Sequence, residues 1–396
     1  MHRTAALNAG LVLVSTILTL LAIWAAGELI LRLQYGALPV HQPREMRAYD
    51  ERLGWVLRPG RYEYFDVRAV RRVSVAINEL GLRGAPIAPR PAGGVERVTV
   101  LGDSFIFGAA VGADATITAR LQALAGSSHE IMSVGVPGYG TGQQYLLLED
   151  LRAKGYDLGR KLVLAFFTND LQDNLGIEDS SLRRFPQQPA FSVDAAGRLQ
   201  HSAAEAPRPR TTRKRDSWLE RSLFLQFFRY QMEVLLVSHP RLYGAVQALG
   251  IAPRLPRTPG IIAGWYDAQW EARWRASDAL LEHVITQLRA TQNPPEIFLA
   301  FLPSPFQVHE VFRRSIAAEA ERDARYASFL AEPDRPQRVL QSLARRLDVA
   351  FIDLTPAMRR EAQDSPVYFL REGHFNERGC AIAAQVLFER VIEKAH

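Results

Sequence analysis

The chain has 396 residues, 47% of them hydrophobic, which is enough for one large domain or two modest ones and excludes disorder throughout. Its formal charge is +6, yet all but four of the 48 basic residues are arginines scattered from end to end, a pattern of compositional bias and not of a nucleic-acid surface. The single cysteine, Cys380, excludes an intrachain disulfide, and no Cys/His group has zinc spacing.

From Ala5 to Gly27 no residue is charged, and at 1.5 Å per helical residue the run can cross a hydrocarbon core of about 30 Å. This is a membrane helix or a signal sequence. The long apolar run and the weak cleavage candidate Ala25-Ala26-Gly27 favour an uncleaved anchor over residues 1–35, a single pass through the cytoplasmic (inner) membrane. Arg3 precedes the run while Arg32, Arg44, Arg47 and Arg52 follow it, so charge counting does not fix orientation. Long C-terminal domains are translocated largely regardless of charge, and the remainder is expected outside the cytoplasm. Residues 36–95 read as a linker marked by Pro39, Pro43, Pro59 and Gly60, then a small β preface with strands at Tyr62–Asp66 and Val73–Ile77.

From residue 96 to 396, β and α patterns alternate. Strands are predicted at 97–103, 130–136, 161–167, 296–302 and 349–354, with helices at 114–125, 141–153, 264–290, much of 309–347, and 376–394. An irregular insertion, about 175–260, follows the third of these strands. Strands that are apolar throughout and separated by helices predict a parallel sheet covered on both faces, a three-layer α/β/α doubly wound domain. Functional groups in such sheets collect beyond the carboxyl ends of the strands.

Four strand-end loops carry polar residues suited to chemistry. In Gly102-Asp103-Ser104 the serine sits at a strand-to-helix turn, where it either caps the helix or is presented as a nucleophile beside free N–H groups. Ser133 to Gly140 (SVGVPGYG) is a tight turn, a nucleotide loop or a site for close backbone approach; no acidic residue follows at dinucleotide spacing. Asn169, in Thr168-Asn169-Asp170, is an Asx turn or an amide donor. His374, in Arg371-Glu372-Gly373-His374-Phe375-Asn376, has an acid two residues earlier and a helix cap two residues later.

In order and placement these four loops resemble the conserved blocks of the SGNH (GDSL-type) hydrolase superfamily, and Ile77–Gly84 (INELGLRG) is similar to the prelude of its bacterial membrane-anchored members. The resemblance implies that Ser104 is the nucleophile and His374 the general base, with an oxyanion hole formed by the Ser104 and Gly138 N–H groups and the Asn169 amide. Many members carry Asp three residues before the His, where this chain has Arg371; others have Asp two before, the place taken here by Glu372. The implied activity is a serine esterase without cofactor or metal, acting on O-acetyl or similar esters of cell-envelope or exported polysaccharide. Transfer of the acyl group to a sugar (a polysaccharide O-acetyltransferase) and a non-catalytic glycan-binding protein are the alternatives. The expected partners are an acylated carbohydrate and the membrane, not nucleic acid.

Three further features have structural expectations. Trp265, Trp270 and Trp274 are expected to pack a helix on the sheet, the alternative being a sugar platform, and the apolar stretch Trp218–Val237 is expected to be buried, the alternative being a lid or membrane-surface helix. The basic run Arg208–Asp216 is expected to be a solvated loop.

Overall fold

The computed structural model describes residues 2–36, 38, 42–66, 68–174, 187–204, 206, 222–239, 241–242, 245–246, 264–321 and 323–393. Helix α1 (His2–Tyr35) is followed by two antiparallel hairpins, β1 (Arg47–Asp50) with β2 (Gly54–Leu57), and β3 (Gly60–Asp66) with β4 (Arg71–Ile77). Within α1, Leu11–Tyr35 has a mean hydropathy of 2.0 and is long and apolar enough to cross a membrane. Part of the segment read as a linker is folded instead: Met46, Leu53, Trp55 and Leu57 are buried in the main core.

The centre is a five-stranded parallel sheet of β5 (Glu96–Gly102), β6 (His129–Gly135), β7 (Lys161–Phe167), β10 (Glu296–Leu302) and β11 (Ala350–Asp353), in the order β11-β10-β7-β5-β6. A short β8–β9 hairpin (Phe191–Val193 and Leu199–His201) stands in the insertion. Side chains alternate along β7: Leu162, Leu164 and Phe166 enter one core, Val163, Ala165 and Phe167 the other. The strands read as apolar throughout because both faces are covered. The chain moves from β5 to β6 on one side and then returns past β5 to β7, so the direction of strand order reverses beside β5.

Helices follow each strand: α2 (Ser104–Phe107), α3 (Ile117–Ala125), α4 (Thr141–Ala153), α5 (Asp170–Asp173), α6 (Leu223–Ser238) and α7 (Trp270–Arg289). Beyond β10 come α8 (Pro305–Val308), α9 (Glu310–Ala320), α10 (Ala324–Ala331) and α11 (Arg335–Arg346), and beyond β11 come α12 (Thr355–Glu361) and α13 (Glu377–Leu387). The predicted helix at 114–125 starts later, at Ile117, because Thr116 turns out of helical geometry and its hydroxyl accepts the Ala119 N–H at 3.1 Å. The mostly helical stretch expected over 309–347 consists of three helices, divided where Asp323 caps α10 and Pro336 opens α11. The closing helix passes into a π turn at Phe388–Ile392.

Trp265 is fully buried, donates to the Thr168 carbonyl at 2.6 Å and stacks near Trp274, with ring centroids 5.6 Å apart. Trp270 lies beneath the Arg335 guanidinium. The burial expected of Trp218–Val237 holds for Leu223 and Leu236 in its described part, but Phe227, Phe228, Met232 and Leu235 on α6 are exposed, and polar Gln226 and Glu233 share the buried side. Trp218 and the basic run Arg208–Asp216 lie outside the described residues.

Candidate active site

The turn after β5 is shaped by two glycines in register, Gly102 and Gly135. A Cβ on Gly135 would meet the backbone nitrogen of Phe107 and, at 2.7 Å, the carbonyl carbon of Ile106; one on Gly102 would strike the Ile106 side chain. Bare backbone at both strand ends lets α2 lie directly on the sheet. Asp103 is its N-cap and accepts the Phe105 N–H at 2.9 Å, while Ser104 occupies the first turn, where N–H groups have no partner within the helix. The short α2 ends at Gly108, in left-handed geometry with φ 78°.

The histidine loop is held as a turn between Tyr368 and Phe375, which bridge as an antiparallel pair. The Phe369 N–H donates to the His374 carbonyl at 2.8 Å, and the Gly373 N–H to the Phe369 carbonyl at 2.7 Å. Gly373 has φ 87°, a left-handed conformation that folds Glu372 and His374 back toward each other. Asn376 then caps α13 through the Gly379 N–H at 3.0 Å.

These two loops meet across 270 positions of sequence. His374 Nε2 lies 2.6 Å from Ser104 Oγ, and His374 Nδ1 lies 2.6 and 2.5 Å from the two oxygens of Glu372. With a carboxylate at Nδ1, that nitrogen carries the ring proton and donates it, which leaves Nε2 to accept the serine hydroxyl. Glu372 also accepts the His374 backbone N–H at 3.1 Å. Burial pushes the Glu372 carboxyl up, but His374 and the nearby Arg68 outweigh it and hold the group below its ordinary range. The extra methylene that distinguishes Glu from Asp is absorbed by the tight Gly373 turn.

Gly138 and Asn169, the two remaining residues expected at the site, sit close by in different ways. Gly138, at φ 85°, lines the same cavity as the Ser104, His374 and Glu372 side chains. Asn169 is fully buried behind Asp103. Its amide nitrogen donates to Asp173 at 2.6 Å and approaches Asp103 Oδ2 at 3.4 Å, and that same oxygen is 3.3 Å from Ser104 Oγ. Asp170 accepts the Phe167 N–H at 2.7 Å and so shapes the turn that presents Asn169.

The cavity holds about 300 Å³, and part of its wall is built by the N-terminal hairpins, with Arg47, Tyr64 and Arg68 among its lining residues. The sequence did not mark that wall, because Arg47 lies in the segment read as a linker, and Tyr64 and Arg68 lie in and just after a strand of the β preface. Two positioning residues were also missed. Arg83, inside the Ile77–Gly84 stretch, is buried and donates to the carbonyls of Ser74, Phe107, Gly108 and Val111 at 2.6–3.2 Å, pinning the chain just after α2. Phe105 stacks near His374 and Phe375, both at 4.8 Å between centroids. The motif containing Arg83 was the available signal; nothing local announces Phe105.

No family model matches the chain, nor does any curated protein sequence. Among solved structures it is similar to a carbohydrate acetylesterase family member from Sinorhizobium meliloti, 13% identical over 75% of this chain and 97% of that one, with a TM-score of 0.35. It is also similar to an M. smegmatis aryl esterase, native (13% identical, 75% and 98% covered, TM-score 0.36) and inhibitor-bound (14% identical, 75% and 98% covered, TM-score 0.35).

Proposed function

We propose that the chain is a serine esterase tethered to a membrane by α1, acting on short acyl esters of carbohydrate, O-acetyl groups of cell-envelope or exported polysaccharide in particular. The observation that carries this reading is the hydrogen-bonded series Glu372–His374–Ser104, with Nε2 2.6 Å from Oγ. In the first half-reaction Ser104 Oγ bonds to the ester carbonyl carbon as its proton passes to His374 Nε2; the C–O bond to the alcohol then breaks and the same proton leaves with the alcohol. In the second, water gives a proton to Nε2 and its oxygen to the acyl carbon, and the Ser104 ester opens as that proton passes from Nε2 to Ser104 Oγ. Glu372 holds the ring orientation and opposes the positive charge that forms on it.

The developing oxyanion would be held by the Ser104 and Gly138 N–H groups. Asn169 is the third donor in this reading: Asp173 fixes one amide hydrogen, leaving the other, only loosely directed at Asp103 Oδ2, for the oxyanion. A cavity of about 300 Å³ suits a small acyl group, and its Arg47, Tyr64 and Arg68 wall suits a hydroxyl-rich alcohol. The length and hydropathy of Leu11–Tyr35 support the tether. The test is acetate release from an O-acetylated polysaccharide by the full chain in detergent. Release by the wild type and its loss in Ser104→Ala support the assignment; equal release by both overturns it.

A further inference from the structure

Helix α6 turns large apolar side chains to the outside. Its protein-facing side buries Leu223, Gln226, Glu233 and Leu236, whereas Phe227, Phe228, Met232 and Leu235 are 40%, 56%, 38% and 42% exposed. Phe228, Met232 and Leu235 recur at i, i+4 and i+7 and so form one stripe. Exposed single hydrophobics are ordinary, but four large ones along one helix need an apolar neighbour.

Where α6 begins identifies that neighbour. Its first turn is fastened to α1 just where the uncharged run of α1 ends. Gly27 leaves room for the ring of Phe224, and Glu28 accepts the Ser222 hydroxyl at 2.8 Å and the Leu223 and Phe224 N–H groups at 3.3 and 3.0 Å. Trp24 donates to Ser222 at 3.1 Å. A carboxylate on free N–H groups at a helix start is a stable junction, worth more in a water-poor setting. The level of Glu28 is therefore the level of the membrane boundary if α1 spans. The exposed Leu29, Ile30 and Leu33 of α1 carry the same apolar character past that level.

We propose that α6 is an interfacial helix whose Phe227, Phe228, Met232 and Leu235 face lies in the lipid surface beside α1. This rests on α1 being a membrane tether and not on the esterase assignment. Its inner side reaches the catalytic loop: Arg371 donates to Gln226 at 2.6 Å and lies 3.6 Å from Glu233, which Arg229 also binds at 2.9 Å. Arg371 thus ties the loop bearing Glu372 and His374 to a helix seated on lipid.

The test uses the full chain in vesicles of phosphatidylcholine and phosphatidylglycerol, with Phe228→Cys or Leu235→Cys carrying an environment-sensitive fluorophore; Cys380 is buried. Expected are blue-shifted emission, strong quenching by a lipid nitroxide placed near the headgroups and none by aqueous iodide, with a Gln385→Cys control on α13 showing the reverse. Water-like emission and iodide quenching at both positions, in protein that floats with the vesicles, overturn the proposal. So does protection that vanishes as protein is diluted at fixed lipid, which assigns the face to a second copy. Failure of the protein to float refutes the tether, a separate result.

Discussion

Replacing Glu372 with Gln removes one charge while keeping the side chain's shape. In the wild type, transfer of the Ser104 proton creates an imidazolium whose Nδ1 is 2.5–2.6 Å from the carboxylate. With charge centres roughly 4 Å apart and an effective dielectric of about 20, Coulomb's law assigns that pair about 4 kcal/mol. At about 1.4 kcal/mol per tenfold change in rate, its loss slows acylation by about 10³-fold. The amide adds a second fault, since its NH₂ can donate to Nδ1 and drive the ring proton onto Nε2, where it blocks acceptance from serine. The assay is kcat/KM on p-nitrophenyl acetate, with Glu372→Asp alongside. Asp keeps the charge at shorter reach and is expected to recover at least about tenfold of the loss. A Glu372→Gln enzyme within about threefold of wild type, when Ser104→Ala is inert, refutes the assigned role.

The surroundings of the site yield three other predictions. Arg83→Lys keeps the charge but not the planar fork that reaches four carbonyls, and is expected to lower stability by about 3 kcal/mol or more in urea denaturation; an unchanged midpoint contradicts the pinning role. Gly135→Ala pushes α2 off the sheet, with an expected loss of about 1–3 kcal/mol and a reduced kcat at normal fold content by circular dichroism; full activity contradicts the close approach. His309 is buried, which lowers it from 6.5 to about 4, and as a neutral ring it accepts the Val367 N–H at 3.4 Å. The unfolded chain takes up that proton first, so the contribution is complete above pH 6.5 and is lost as pH falls toward 4, about 3 kcal/mol in all. His309→Gln should flatten that part of the stability profile, and an unaltered slope counts against it.

The layout of the sheet was legible because β7 and β10 are apolar from their second residue onward, as strands covered on both faces are. From that layout it followed which ends of the strands to inspect, and Ser104 lies just beyond one of them, in contact with His374 from the loop after α12. What stayed hidden depends on contacts between distant segments. Nothing in residues 42–68 announces that Arg47, Tyr64 and Arg68 wall a cavity, because their faces are set by the hairpins they pair in. Nor does the composition of α6 reveal that it folds with Gln226 and Glu233 inward, since a strongly apolar stretch reads as core whichever way it is turned. Glu372 is an intermediate case: its type and position were visible, but its reach to Nδ1 depends on the left-handed Gly373.

The most direct measurement is the site of covalent capture by a fluorophosphonate, read by peptide mass spectrometry on the full chain. The account predicts one adduct, on Ser104, formed rapidly in the wild type, much more slowly in His374→Ala and not at all in Ser104→Ala. An adduct on another residue, or equal labelling of the wild type and His374→Ala, would contradict a serine activated by this histidine.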